Sequence, residues 1–125
     1  MVTVTREFHG PKSDGNAVDV TLSHSISGRK PILVNNIPGF PHESGDSGDM
    51  RAISADGAVY RVDIGASLTP SIGDTIYVTV ASVTAHEIPA AAYSTSSGAG
   101  KVPFVRVLSE KDANNFIDGK LINFS

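Results

Sequence analysis

The sequence predicts an all-β fold, and three observations carry the prediction. Short runs alternate apolar and polar residues with period two, as half-buried strands do. Gly and Pro are frequent, 12 and 7 of 125 residues, which favours many turns over long helices. The stretch Leu68-Thr69-Pro70-Ser71-Ile72-Gly73-Asp74 is a turn that feeds directly into the cleanest alternation in the chain, Ile76, Val78 and Val80 against Thr75, Tyr77 and Thr79.

Taken in order, residues 1–16 are expected to be an extended N-terminal arm and turn, and residues 17–125 a single β domain. Val2 and Val4, with Phe8, make a short alternating strand or arm that stops at His9-Gly10-Pro11 and the polar turn through Asn16. Val18, Val20 and Leu22 alternate against Asp19 and Thr21. Ile32-Leu33-Val34, after Pro31, is too short for a helix and reads as a buried strand that ends at Asn35-Asn36. Residues 37–49 show neither period and are expected to form a long loop. Arg51–Ser54 is a short strand, and Asp56-Gly57 signals a hairpin into a second well-defined strand, 59–64. Residues 83–88 are read as a returning strand.

Pro89 to Gly100 is a run of small residues expected to form a mobile loop with little buried area. Residues 102–108 are strand-like, with Pro103 arguing for an edge position. Ser109 is expected to cap one helical turn, Asp118-Gly119 to turn the chain, and residues 120–124 to close the sheet.

Composition excludes several function classes. A net charge of -3 with scattered Lys and Arg gives no footprint for nucleic acid. With no Cys there are neither disulfides nor thiolate metal sites. No leader-like apolar segment opens the chain, and no run approaches the ~20 apolar residues of a membrane span. The chain is therefore expected to be soluble, without nucleic-acid or membrane partners.

Four motif-like fragments are weaker than they look. Gly45-Asp46-Ser47-Gly48 matches a serine-protease nucleophile loop, but Asp49 stands where a further Gly belongs, and too little chain precedes Ser47 to supply a base. Gly98-Ala99-Gly100-Lys101 looks like the end of a phosphate loop, yet Thr95 and Val102 occupy positions that need Gly and Ser or Thr. His9, His24, His42 and His86 lack the helical spacing of a metal pair. His42, Glu43, Asp46 and Asp49 fit no calcium loop and read as a solvated acidic loop. No catalytic residue, metal ligand or cofactor is expected, and the chain is read as a non-enzyme.

The C-terminal half, Gly57-Ala58-Val59-Tyr60 through Ile72-Gly73-Asp74-Thr75-Ile76-Tyr77-Val78 to Gly100-Lys101-Val102-Pro103-Phe104-Val105-Arg106-Val107-Leu108, resembles the small head decoration proteins of tailed bacteriophages. The order carries the likeness: a strand, a Gly-Asp turn, an aromatic-containing strand, a loop, a Gly-led strand and a terminal strand like Gly119-Lys120-Leu121-Ile122-Asn123. The resemblance implies a small β-barrel or β-tulip-like domain, made in the host cytoplasm. It implies a homotrimer on the outer capsid surface of the virion that binds the major capsid protein and cements the head. A capsid-contact arm of Val2, Thr3, Val4, Thr5 and Phe8 would bind an exposed capsid edge by strand addition. The competing expectation is a non-enzymatic binding module, such as a phage tail or fibre subunit or a carbohydrate-binding β domain. The absence of Trp weakens the sugar-binding version.

Overall fold

The alternating runs fold as strands in the computed structural model, which describes residues 17–28, 30–54 and 56–122. In chain order these are β1 (Ala17–Thr21), β2 (Ile32–Val34), β3 (Ile37–Pro41), β4 (Met50–Ser54), β5 (Asp56–Asp63), β6 (Thr75–Thr79), β7 (Tyr93–Ser94), β8 (Lys101–Val107) and β9 (Phe116–Ile122). Two 3-10 turns, Val80–Ser82 and Ala90–Ala92, are the only helical elements among the described residues. The fold is all-β. One antiparallel sheet of five strands, in the order β5-β9-β8-β6-β7, curls into half a barrel, and a second of four strands runs β1-β4-β3-β2.

The half-barrel encloses the larger core. Ile76 and Val78 of β6, Val62 of β5, Phe104, Val105 and Val107 of β8, and Ile117 and Leu121 of β9 are all buried within it. The period-two rule explains the first three and the last two. Phe104 and Val105 are neighbours yet both buried, because the β6–β8 register slips there: Ile76 pairs with Val105 and Tyr77 with Pro103, leaving Phe104 as the extra residue of a bulge. The Phe104 ring stacks between Phe40 and Tyr93, with centroids 5.9 and 5.8 Å away.

The run Ile32-Leu33-Val34 is apolar throughout because both faces of β2 are covered. Leu33 faces the half-barrel core, whereas Ile32 and Val34 pack with Val20, Leu22, Ile26 and Ile53 in a second, smaller core. The β2–β3 hairpin is thus the wedge between the two.

Several expectations need correction. Residues 37–41 are strand β3, paired with β2 through the two-residue turn Asn35-Asn36, whose φ angles of 52° and 63° match a type I′ hairpin. Asp56-Gly57 makes no hairpin: β4 and β5 lie in different sheets, and the chain crosses between them here. Residues 83–88 form a loop with a single bridge, Ile32 to Glu87. Within 89–100, Ala92 and Tyr93 are core residues. Pro103 sits in a central strand, but beyond the stretch Val105–Val107 that pairs with β9 among the described residues, so its missing N–H breaks no bond of that ladder. Ser109 caps no helix; its Oγ accepts the Asp118 N–H. Asp118 and Gly119 lie inside β9, where a Cβ on Gly119 would sit 2.8 Å from Val105. The arm residues Val2, Thr3, Val4, Thr5 and Phe8 lie outside the described residues, as does His9.

Candidate functional site

The Gly45-Asp46-Ser47-Gly48 segment is a docking turn rather than a nucleophile loop. Gly45 exchanges main-chain bonds with Ile26, Gly48 N–H donates to Leu22 O at 2.7 Å, and Asp46 N–H donates to the Asp49 carboxylate at 2.9 Å. These bonds pin the turn to residues 22–26 and leave Ser47 exposed at its tip. His42, the nearest imidazole in sequence, instead meets Ser54 Oγ through Nε2 at 2.9 Å. The acids of this loop face a guanidinium: Arg51 lies 3.3 Å from Glu43 and 3.2 Å from Asp49, and donates to Ser44 O. The expected solvated acidic loop is thus partly neutralised from within. Among the described residues no cluster of three His, Asp or Glu is placed to hold a metal.

Lys101 opens strand β8, and its ammonium donates to Ser94 Oγ and Ser96 O at 3.1 and 3.3 Å. It closes the 94–101 loop.

Sequence reasoning missed two arrangements. The first joins His86, Ser23 and His24, residues too far apart in sequence to suggest a pair. The Ser23 N–H donates to His86 Nε2 at 3.0 Å, so that nitrogen is the acceptor and Nδ1–H faces Leu33 O at 3.2 Å. His24 packs edge-on at 5.1 Å. Glu87 accepts the Ser27 N–H beside it. Together they clasp the 83–88 loop to β2 and to the segment after β1.

The second is a cavity of about 410 Å³ at the open side of the half-barrel. Both edge strands of the five-stranded sheet reach it, β5 through Arg61, Val62 and Asp63 and β7 through Tyr93, with Phe40 and Ile88 behind. The Tyr93 hydroxyl is buried and has no hydrogen-bond partner among the described residues. Its burial, with the Asp63 carboxylate adding, raises its pKa far above the ordinary phenol value, so it stays a donor. A lone aromatic between Ala92 and Ser94 was the only signal in the sequence. Arg61, which with Phe116 also lines the cavity, donates to Asp112 and Asp118 and lies 5.6 Å over the Phe116 ring.

No described helix is long and apolar enough to cross a membrane. No family model, curated protein or solved structure matches this chain.

Proposed function

We propose that this chain is a non-enzymatic structural protein of a bacteriophage virion, a homotrimer that decorates the outer capsid surface and stabilises the head by binding the major capsid protein. The observation that carries the reading is where the resembling segments fall. Residues 57–60, 72–78, 100–108 and 119–122 supply β5, the turn into β6, β8 and β9, and these form four adjacent strands of one sheet. The segments quoted for the likeness thus lie together in one connected sheet of this chain. In this reading Val2, Thr3, Val4, Thr5 and Phe8 belong to an arm that adds a strand to the shell or to a neighbouring subunit through main-chain bonds.

The test is co-sedimentation of the purified chain with phage heads, alongside its mass in solution. Binding to heads by a trimer is expected. A monomer that ignores heads but is retained on a glycan array overturns the proposal in favour of a carbohydrate-binding module. Replacing Ser47 with Ala should leave head binding intact, since its loop is built as a turn.

A further inference from the structure

The chain that joins β5 to β6 lies outside both sheets between Ile64 and Gly73, whose N–H groups bond the main-chain oxygens of Asn115 and Val107. Donors near its two ends are met by carboxylates: the Gly65 N–H donates to Asp63 and the Ser71 N–H to Asp74, at 2.9 and 2.8 Å. Its acceptors are met in another way. The carbonyls of Gly65, Ala66 and Leu68 receive no main-chain N–H among the described residues, and all three converge on the Lys111 ammonium, the first two at 3.1 Å. No ion pair among the described residues includes Lys111. The chain that carries it is fixed beside it: the Asp112 carboxylate accepts the Asn114 and Phe116 N–H at 2.8 and 3.0 Å, and the Asp112 N–H donates to Phe116 O.

We propose that the carbonyls of Gly65, Ala66 and Leu68 form a binding site for a primary ammonium, which the chain fills with its own Lys111, and that this tethered cation fixes the β5–β6 connection. The chemistry of the oxygens selects the occupant. An ammonium carries three N–H donors on one atom and accepts nothing, so three convergent carbonyls saturate it, whereas no single nitrogen of a guanidinium carries three. Oxygens 3.1 Å from the centre stand too far out for Ca2+ or Mg2+, which take theirs at about 2.3–2.6 and 2.0–2.1 Å. The three acceptors are also neutral, and a hydrogen bond from a charged donor is stronger than one between neutral groups. The positive charge is therefore the working part of Lys111, and its stem is a tether. Lys111 also lines a cavity of about 420 Å³ with Glu110 and residues 69–72, which gives a small cation a way in once the side chain is shortened. The site is independent of head binding, so free protein tests it.

The experiment is a chemical rescue of the full chain carrying Lys111→Ala, melted in methylammonium chloride and in tetramethylammonium chloride at equal ionic strength. The first cation keeps three N–H donors and the second has none. Methylammonium is expected to raise the melting temperature of the variant by about 4 °C over tetramethylammonium, and to leave the intact chain unchanged. In NMR spectra of the variant the amides of Ala66, Ser67 and Thr69, each bonded directly to one of the three carbonyls, should shift as methylammonium is added. No rescue, equal rescue by tetramethylammonium, or rescue with those three amides unmoved overturns the proposal. If Lys111→Ala does not fold, the intact chain decides. Its Lys111 ammonium protons should exchange with water about tenfold more slowly than those of the exposed Lys30 and Lys120. Equal rates at the three lysines overturn the assignment.

Discussion

The half-barrel and the four-stranded sheet are built from the same kind of strand but are held in different ways. In the half-barrel the interior side chains of β6, β8 and β9 are fully buried and an aromatic stack runs through the middle. The four-stranded sheet has a small core, and its loops are fastened by polar links: Arg51 to its acidic loop, the Asp46–Asp49 turn to Leu22, and His86 to Ser23. One region is stabilised by area removed from water, the other by bonds whose net worth is modest. The smaller sheet should therefore open first, and the β2–β3 hairpin, which faces both cores, should couple the two.

Phe104→Ala gives the largest expected effect on this contrast. It removes the fully buried centre of the aromatic stack and should cost about 3–5 kcal/mol in urea unfolding. Leu22→Ala, in the small core at 2% exposure, should cost about 2–3 kcal/mol, because its loop neighbours can settle into the space. If the two losses are equal, the regions do not differ in the way described.

Two glycines sharpen the contrast, since each resists substitution for its own reason. A Cβ on Gly119 would meet Val105 at 2.8 and 2.9 Å in the sheet centre, so Gly119→Ala should cost about 1–3 kcal/mol through overpacking. Gly48 has open space around it but a φ of +93°, so Gly48→Ala should cost about 1 kcal/mol through backbone strain alone. Adding Val105→Ala should relieve the first site only in part, because it removes the two Cγ atoms but keeps the Cβ at 2.9 Å, and should leave the second unchanged, a double-mutant cycle read by denaturation.

The same division governs what the sequence could reveal. β6 was legible because its two faces differ, and β2 because a short apolar run fits a strand covered on both sides. β3 was not, since Pro38, Gly39 and Pro41 resemble loop punctuation, although Asn35-Asn36 was a usable hairpin signal. Pro103 misled because how far a central strand stays paired is a property of the pair and not of the strand: among the described residues β9 pairs with β8 only over Val105–Val107 and stops short of it. Tyr93 and its cavity were hidden for a similar reason: a slot between two edge strands exists only once the sheet has curled.

His86 offers a smaller test. His86→Ala removes the acceptor of the Ser23 N–H and a contact to Leu33 O, and should cost about 1 kcal/mol globally. Its larger signature is local. Amide exchange at Ser23 should quicken while that of Ile76 and Val107 stays fixed. If the half-barrel amides quicken equally, the clasp belongs to one cooperative unit and the two-tier picture fails.

The smallest effect concerns pH, and it belongs to the half-barrel's exposed rim. The Phe116 N–H holds the Asp112 carboxyl below its usual range, opposed in part by desolvation and aided by the Asn114 N–H and the Arg61 guanidinium. A lowered pKa means that the folded state favours the ionised form. The resulting stability is present above the ordinary aspartate value and is lost as pH falls below it, through the lowered one. Asp112→Asn keeps a side-chain oxygen for the two amides but cannot ionise, so it should flatten the fall in melting temperature on the acid side of pH 4. At pH 7 the variant should melt slightly lower, and added salt should shrink the difference, because the carboxylate is exposed and its attraction to Arg61 is screened. An acid limb as steep in Asp112→Asn as in the parent would assign the acid sensitivity to another carboxylate.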